Sequence, residues 1–192
     1  MSELYFEEAL RDRANELRTQ LCALGSRLHT GDDSELVIWV IPNQLACAHR
    51  PLRHHPKFGG SGVSLPSASA ADVTRWVERV VALGFNGLIC LMHHKEIAHY
   101  AHLDLGAPGI IALYHSKGLE VCHLPWDDPK HRPSHAKGSF RAELTRIRAN
   151  ALECFKKLRK PVLIHCSAGI DRSSPVCAYI EYAWDHPESW QG

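Results

Sequence analysis

Hydrophobic positions recur along the chain with two periods, and the switches between them mark out the elements. Over 4–24, Leu10, Ala14, Leu17, Leu21 and Leu24 fall at helical spacing among arginines and glutamates, which predicts a one-sided amphipathic helix laid on the domain surface. The run at 36–41 (Leu-Val-Ile-Trp-Val-Ile) is rich in β-branched residues and closed by Pro42, so it predicts a buried strand. Residues 46–69 carry Pro51, Pro56, Gly59, Gly60, Gly62 and Pro66 and are expected to be loop. Ser69 with Asp72 has capping-box spacing and predicts a helix whose apolar face is Val73, Trp76, Val77 and Val80, ending at Gly84. A second strand is predicted over 85–91, a short helix over 109–117 and a third strand over 119–124. A loop rich in Pro, Asp and His follows over 125–138. Leu144, Ile147, Ala151, Phe155 and Leu158 form the stripe of a further helix that Pro161 stops. A fourth strand over 162–165 and a last helix over 175–184 complete the order. Helices alternating with short apolar strands predict an α/β domain with a mainly parallel central sheet flanked by helices. Residues 1–30 are expected to be an amino-terminal helix packed on a single globular unit, 31–192.

Composition narrows the function classes. The chain has 192 residues, with 22 Lys+Arg against 21 Asp+Glu, and no basic block to displace counterions from a nucleic-acid backbone. No nucleic-acid partner is expected. The longest apolar run, at 36–41, is six residues, far below the roughly 20 a bilayer-spanning helix needs, so no membrane insertion is expected. The acidic first residues lack the basic, then apolar, pattern of a secretory leader. Seven scattered cysteines, an odd number, are read as thiols of a cytoplasmic protein.

The chemistry concentrates in Pro161-Val-Leu-Ile-His-Cys-Ser-Ala-Gly-Ile-Asp-Arg-Ser-Ser-Pro175. A turn from a strand into a helix start aims successive backbone N–H groups, over Ser167, Ala168, Gly169, Ile170, Asp171 and Arg172, at one point. The positive end of the helix dipole adds to them, which makes a cradle for a phosphate dianion. The same field favours a thiolate at Cys166, the expected nucleophile. Arg172 offers a planar fork for two phosphate oxygens, Gly169 permits the tight turn, and Ser173 is placed to donate a hydrogen bond to the sulfur. His165 precedes the nucleophile as a supporting residue.

His165-Cys166-Ser-Ala-Gly-Ile-Asp-Arg172-Ser173 resembles the phosphate loop of the cysteine-based protein tyrosine phosphatases, most closely their dual-specificity-like branch. The resemblance spans about 36–184; it is specific at this loop and loose elsewhere. Ile41-Pro-Asn-Gln-Leu-Ala-Cys-Ala-His-Arg-Pro51 is similar to the family's first strand and turn, and Gly84-Phe-Asn-Gly-Leu-Ile-Cys-Leu, with Glu96 and Tyr100 beyond it, to a strand that precedes an acidic position. It implies a phosphomonoester hydrolase working through a phosphocysteine, with a phosphorylated protein or another phosphomonoester as partner and with no metal or organic cofactor. It also implies a general acid some thirty to forty residues before the nucleophile. Leu124-Pro-Trp-Asp-Asp-Pro129 supplies it, since no other Asp lies between 128 and Cys166. Asp128, three after Pro125, is preferred to Asp127. Three features depart from the family. Only twenty residues follow Arg172, so either the amino-terminal helix replaces further helices or the chain is shortened. There is no tyrosine-recognition loop, which implies a shallow pocket. Asp171 matches a choice found in phosphoinositide-directed relatives, while Ile170 lacks their basic charge.

Other readings remain open. The same residues would serve a phosphoinositide or phosphoglucan phosphatase, and the loop could belong to a silent phosphate-binding module. A rhodanese-like sulfurtransferase also uses a strand-end cysteine but has no use for the upstream acid. His93, His94, His99 and His102 with Glu96 match no metal-ligand spacing and are read as a polar face. His54, His55, His131 and His135 fall in loops near the expected pocket mouth, and Trp126 is placed to wall it or to pack.

Overall fold

The structure is a computed structural model that describes the backbone of residues 3–60, 62, 64–128 and 137–190. Six α-helices and one five-stranded sheet appear among the described residues: α1 (Glu3–His29), β1 (Val37–Ile41), β2 (Leu45–Ala48), α2 (Ala70–Ala82), β3 (Gly87–Cys90), α3 (His94–Ile97), α4 (Ile110–Ser116), β4 (Glu120–His123), α5 (Lys137–Lys157), β5 (Val162–His165) and α6 (Ser173–Asp185). The strand order is β1-β2-β5-β3-β4. Only the β1–β2 pair is antiparallel; β2–β5, β5–β3 and β3–β4 are parallel. This is the expected α/β architecture with a mainly parallel sheet. None of the described helices is long and apolar enough to cross a membrane.

The sheet holds one strand more than the pattern predicts. The segment expected to be loop from 46 begins with β2, because Pro42 opens a tight turn rather than ending the sheet. Gln44 N donates to the Ile41 carbonyl at 3.0 Å and Asn43 takes a φ of 59°, as the third residue of a Pro-initiated type II turn does. Leu45-Ala-Cys-Ala48 is buried at all four positions between β1 and β5, so it shows no alternation and its small side chains give no strand signal. The Ser69 capping box is also absent. Ser69 Oγ donates to the Pro66 carbonyl at 2.7 Å, closing a 3-10 turn ahead of α2, and makes no bond to the helix start. A capping box forms instead at α3: the His93 ring accepts from Lys95 N, and Glu96 accepts from His93 N at 2.8 Å.

Alternation along the strands divides the core between the two faces. Val162 and Ile164 turn toward α1, α5 and α6 with Leu17, Leu21, Phe155 and Ile180. Leu163 turns toward α2 and α4 with Val77, Leu88 and Leu113. The helix α1 runs five residues past its predicted end, and its leucines lie in the core rather than on the surface. Leu10, Leu17, Leu21 and Leu24 are each at most 1% exposed, and burying each contributes roughly 2 kcal/mol. It packs chiefly on α6, with Phe6 edge-on to Tyr182 at 4.8 Å and Arg13 bonded twice to Glu181. The reading of seven free thiols fails at one pair. Cys122 on β4 and Cys154 on α5 are joined by a disulfide, brought together by packing that their 32-residue separation does not reveal, so the cytoplasmic expectation loses that support.

Candidate active site

Strand β5 delivers Cys166 to the carboxyl edge of the sheet, between its parallel neighbours, and α6 begins seven residues later at Ser173. The intervening turn closes on itself. Gly169 N lies 3.2 Å from the Cys166 sulfur, and Ser174 Oγ donates to the Gly169 carbonyl at 3.1 Å. Gly169 has a φ of +71°, and a Cβ there would lie 2.9 Å from the Ala48 carbonyl oxygen and 3.2 Å from Leu21. Only glycine fits a left-handed turn pressed this closely between β2 and α1.

The loop is anchored from behind by the residues that follow β2. Arg50 N donates to the Ser167 carbonyl at 2.9 Å. The His49 ring bridges the Ala168 carbonyl, 2.7 Å from Nδ1, and the Leu21 carbonyl of α1, 3.0 Å from Nε2. Burial pushes His49 down to about 4, although two facing carbonyls pull the other way. Arg18 of α1 pairs with Asp171 at 3.4 Å, so Asp171 turns toward the helix. The Ile170 side chain packs against the α1, α5 and α6 core.

Arg172 is the cap residue of α6 and is 1% exposed. Its guanidinium grips both oxygens of Glu96, at 2.5 and 2.6 Å, and donates from Nη1 to the Trp126 carbonyl at 2.8 Å and the Leu91 carbonyl at 3.3 Å. One side chain thus ties together the start of α6 and the segments after β3 and β4. Burial would raise the Glu96 carboxyl, but the bond and charge of Arg172 overcome it and hold the carboxyl below its ordinary value. Burial works against the Arg172 charge too, and Glu96, with Cys166 and Asp128 adding their charge, raises it instead. Among the described residues Nε and the second Nη2 hydrogen have no acceptor, which leaves one edge of the fork for an anion.

His165 is fully buried between Trp76 and Tyr114, edge-on to both. The Tyr114 hydroxyl lies 3.1 Å from Nε2 and the Cys166 carbonyl 3.1 Å from Nδ1, which suits a neutral ring that donates from Nδ1 and accepts from Tyr114. Burial lowers its pKa from 6.5 to about 4. Above pH 6.5 the ring is neutral folded or unfolded. As pH falls below 6.5 the unfolded chain binds a proton that the folded chain refuses, so stability is lost, down to about pH 4. This costs about 2 kcal/mol by pH 5, and His49 acts in the same direction. Urea midpoints at pH 7.5 and pH 5 should show the drop; coincident midpoints would mean that these imidazoles are charged in the folded protein.

The acid-bearing loop carries Trp126, 2% exposed, stacked on Phe140 and donating from Nε1 to Glu143 at 3.1 Å. The two candidate acids part company here. Asp127 is exposed, its carboxylate 3.6 Å from the His93 ring, whereas Asp128 is half-buried and contributes its charge at both Arg172 and Arg53. The expected bond from Ser173 to the sulfur is not made: the hydroxyl is buried without a hydrogen-bond partner. Ser173 is the first residue of α6, and the Gly169 amide meets the sulfur instead. His131 and His135 lie outside the described residues.

No family model matches the chain, and no curated protein matches it. Among solved structures it is similar to a kinase associated phosphatase whose catalytic-site cysteine is substituted by serine, with 20% identity over 72% of this chain and 64% of that one and a TM-score of 0.47. It is also similar to Tk-PTP in its active form, with 19% identity over 80% of this chain and 86% of that one and a TM-score of 0.38. The chain thus spans just under two thirds of the first structure's length.

Sequence reasoning did not assign three contributors. Glu96 is marked only by the resemblance, and its pairing with Arg172 depends on α3, a four-residue helix too short for any periodicity. Arg50 and His49 were hidden in a segment read as loop, where Ala-His-Arg-Pro directly after an apolar tetrad was the available signal.

Proposed function

We propose that the protein is a phosphomonoester hydrolase acting through a phosphocysteine, with phosphorylated proteins as its substrate class. The observation that carries this reading is the Cys166 turn closed by the Gly169 amide, with the Arg172 guanidinium held by Glu96, one of its edges without an acceptor among the described residues, and Asp128 near enough to act on its charge. The Cys166 sulfur attacks phosphorus, while loop amides and Arg172 hold the equatorial oxygens. The bond to the leaving oxygen breaks as Asp128 delivers its proton. The carboxylate then takes a proton from water, which attacks phosphorus, breaks the P–S bond and returns the thiolate with inorganic phosphate. The residues of this chain supply each step with no metal or cofactor.

Steady-state turnover of p-nitrophenyl phosphate, with thiosulfate as a control for sulfur transfer, tests the reaction class. Asp128→Asn should slow poor leaving groups such as alkyl phosphates by about 10²-fold or more and activated aryl leaving groups much less, while Asp127→Asn leaves that dependence nearly unchanged. The opposite ranking would move the acid to Asp127. If neither substitution alters the dependence, a silent phosphate-binding module is the better account.

A further inference from the structure

A cavity of about 180 Å³ lies between the end of α1, the turn after β2 and α2, beside the Cys166 loop rather than within it. Leu28, Leu36, Leu52 and Trp76 contribute apolar wall, and four arginines reach it. Two of these are already neutralised: Arg75 bonds to Asp72 and Arg79 to Asp33. The other two have no carboxylate. Arg50, 2% exposed, donates only to neutral oxygens: the Tyr100 hydroxyl at 2.8 Å, the Gly60 carbonyl at 2.9 Å, the Pro51 carbonyl at 3.3 Å and Ser167 Oγ at 3.4 Å. Arg53 is half-buried, and its side chain makes no hydrogen bond or ion pair among the described residues, with Nε closed off from solvent and unpartnered.

Two guanidinium groups held beside each other in a partly closed cavity, with no carboxylate bonded to either among the described residues, are costly unless an anion joins them. The second also faces the catalytic groups. Burial and the Arg50 charge push Arg53 down from its ordinary value, and the charges of Cys166, Glu96 and Asp128 oppose that push. Half-buried His54 alongside is held neutral, its pKa pushed down to about 3 by burial and by the neighbouring positive charges, so it adds no charge.

We infer that Arg53, backed by Arg50, forms a second anion subsite next to the Cys166 loop and receives a second phosphate group of the substrate. The inference rests on the phosphatase reading and narrows it to phosphomonoesters that carry another phosphate close to the one removed. The apolar wall fits the scaffold between two phosphates.

The test is calorimetric titration of the Cys166→Ser protein, which binds without turnover, with phenyl phosphate and with the 1,2-, 1,3- and 1,4-isomers of benzene bisphosphate. At least one isomer should bind tenfold or more tightly than phenyl phosphate, and Arg53→Met or Arg53→Gln in the same background should bring that ratio close to one. Because the Arg53 side chain has no partner to lose among the described residues, the ligand-free Arg53→Met protein should melt at or above the parent's temperature. A clear drop would make Arg53 structural and overturn the assignment. A ratio near one for every isomer, or a gain that survives both substitutions, would also overturn it. Inorganic phosphate filling an Arg53-dependent second site without any bisphosphate gain would assign the cavity to a separate effector and refute the substrate subsite. Loss of the phosphatase reading is seen separately, as absent turnover of p-nitrophenyl phosphate by the wild-type protein.

Discussion

Replacing Cys166 with serine is expected to lower phosphatase turnover on the order of 10³-fold or more while phosphate-analogue binding persists. The difference lies in ionisation. A hydroxyl in the place of the sulfur keeps the Gly169 N–H partner, 3.2 Å away in the parent, and leaves the Arg172 fork in place, so the cradle is intact. A serine hydroxyl, however, holds its proton far more tightly than a thiol and is a poor nucleophile without a base. Among the described residues, His165 is the histidine adjacent in sequence, and its two ring nitrogens face Tyr114 and the Cys166 carbonyl rather than the side chain at 166. Vanadate binding by calorimetry beside turnover of p-nitrophenyl phosphate checks both halves. Turnover near wild type would remove Cys166 as nucleophile.

Arg172→Lys is expected to cost roughly 10³-fold in rate and also to destabilise the fold. Arg172 meets Glu96 with two parallel bonds and reaches two backbone carbonyls besides. A lysine has one charged nitrogen and cannot span Glu96, Trp126 and the anion together. Half-buried Glu96 would be left partly unpaired, and breaking a buried pair typically costs about 3–5 kcal/mol; the partial exposure of Glu96 and the retained positive charge place the expected loss at or below the lower end. Rate loss with an unchanged melting temperature would mean that the pair with Glu96 contributes no stability. Unchanged kinetics would mean that the loop does not hold phosphate.

Legibility in the sequence followed range. The turn from Cys166 to Arg172 is local, so the spacing together with its flanking His, Gly, Ser, strand and helix placed a cysteine, a glycine and an arginine fork on one strand-to-helix connection, and α1, α2, α5 and α6 showed themselves through stripes of branched apolar residues. The β2 strand did not, because a strand buried on both faces and built from Ala and Cys has no period to detect, and its strand character comes from pairing with β5 more than a hundred residues away. Glu96 and Arg53 matter through partners, or their lack, in three dimensions, and no window of the chain contains both sides of either relation. The disulfide between Cys122 and Cys154 is of the same kind.

The bonds from α1 to the back of the Cys166 loop bear on the order in which the molecule becomes competent during synthesis. The His49 ring that meets the Leu21 carbonyl follows 28 residues after it, but Asp171, the partner of Arg18, follows only 153 residues later. The first helix must therefore wait, its leucine face exposed, until the final strand and helix are released. Closing a loop that long is entropically slow, so the nascent chain carries an uncovered apolar stripe through most of its translation. Binding of that stripe by a folding helper, and release only once α6 arrives, would couple the formation of the Cys166 loop to completion of the domain.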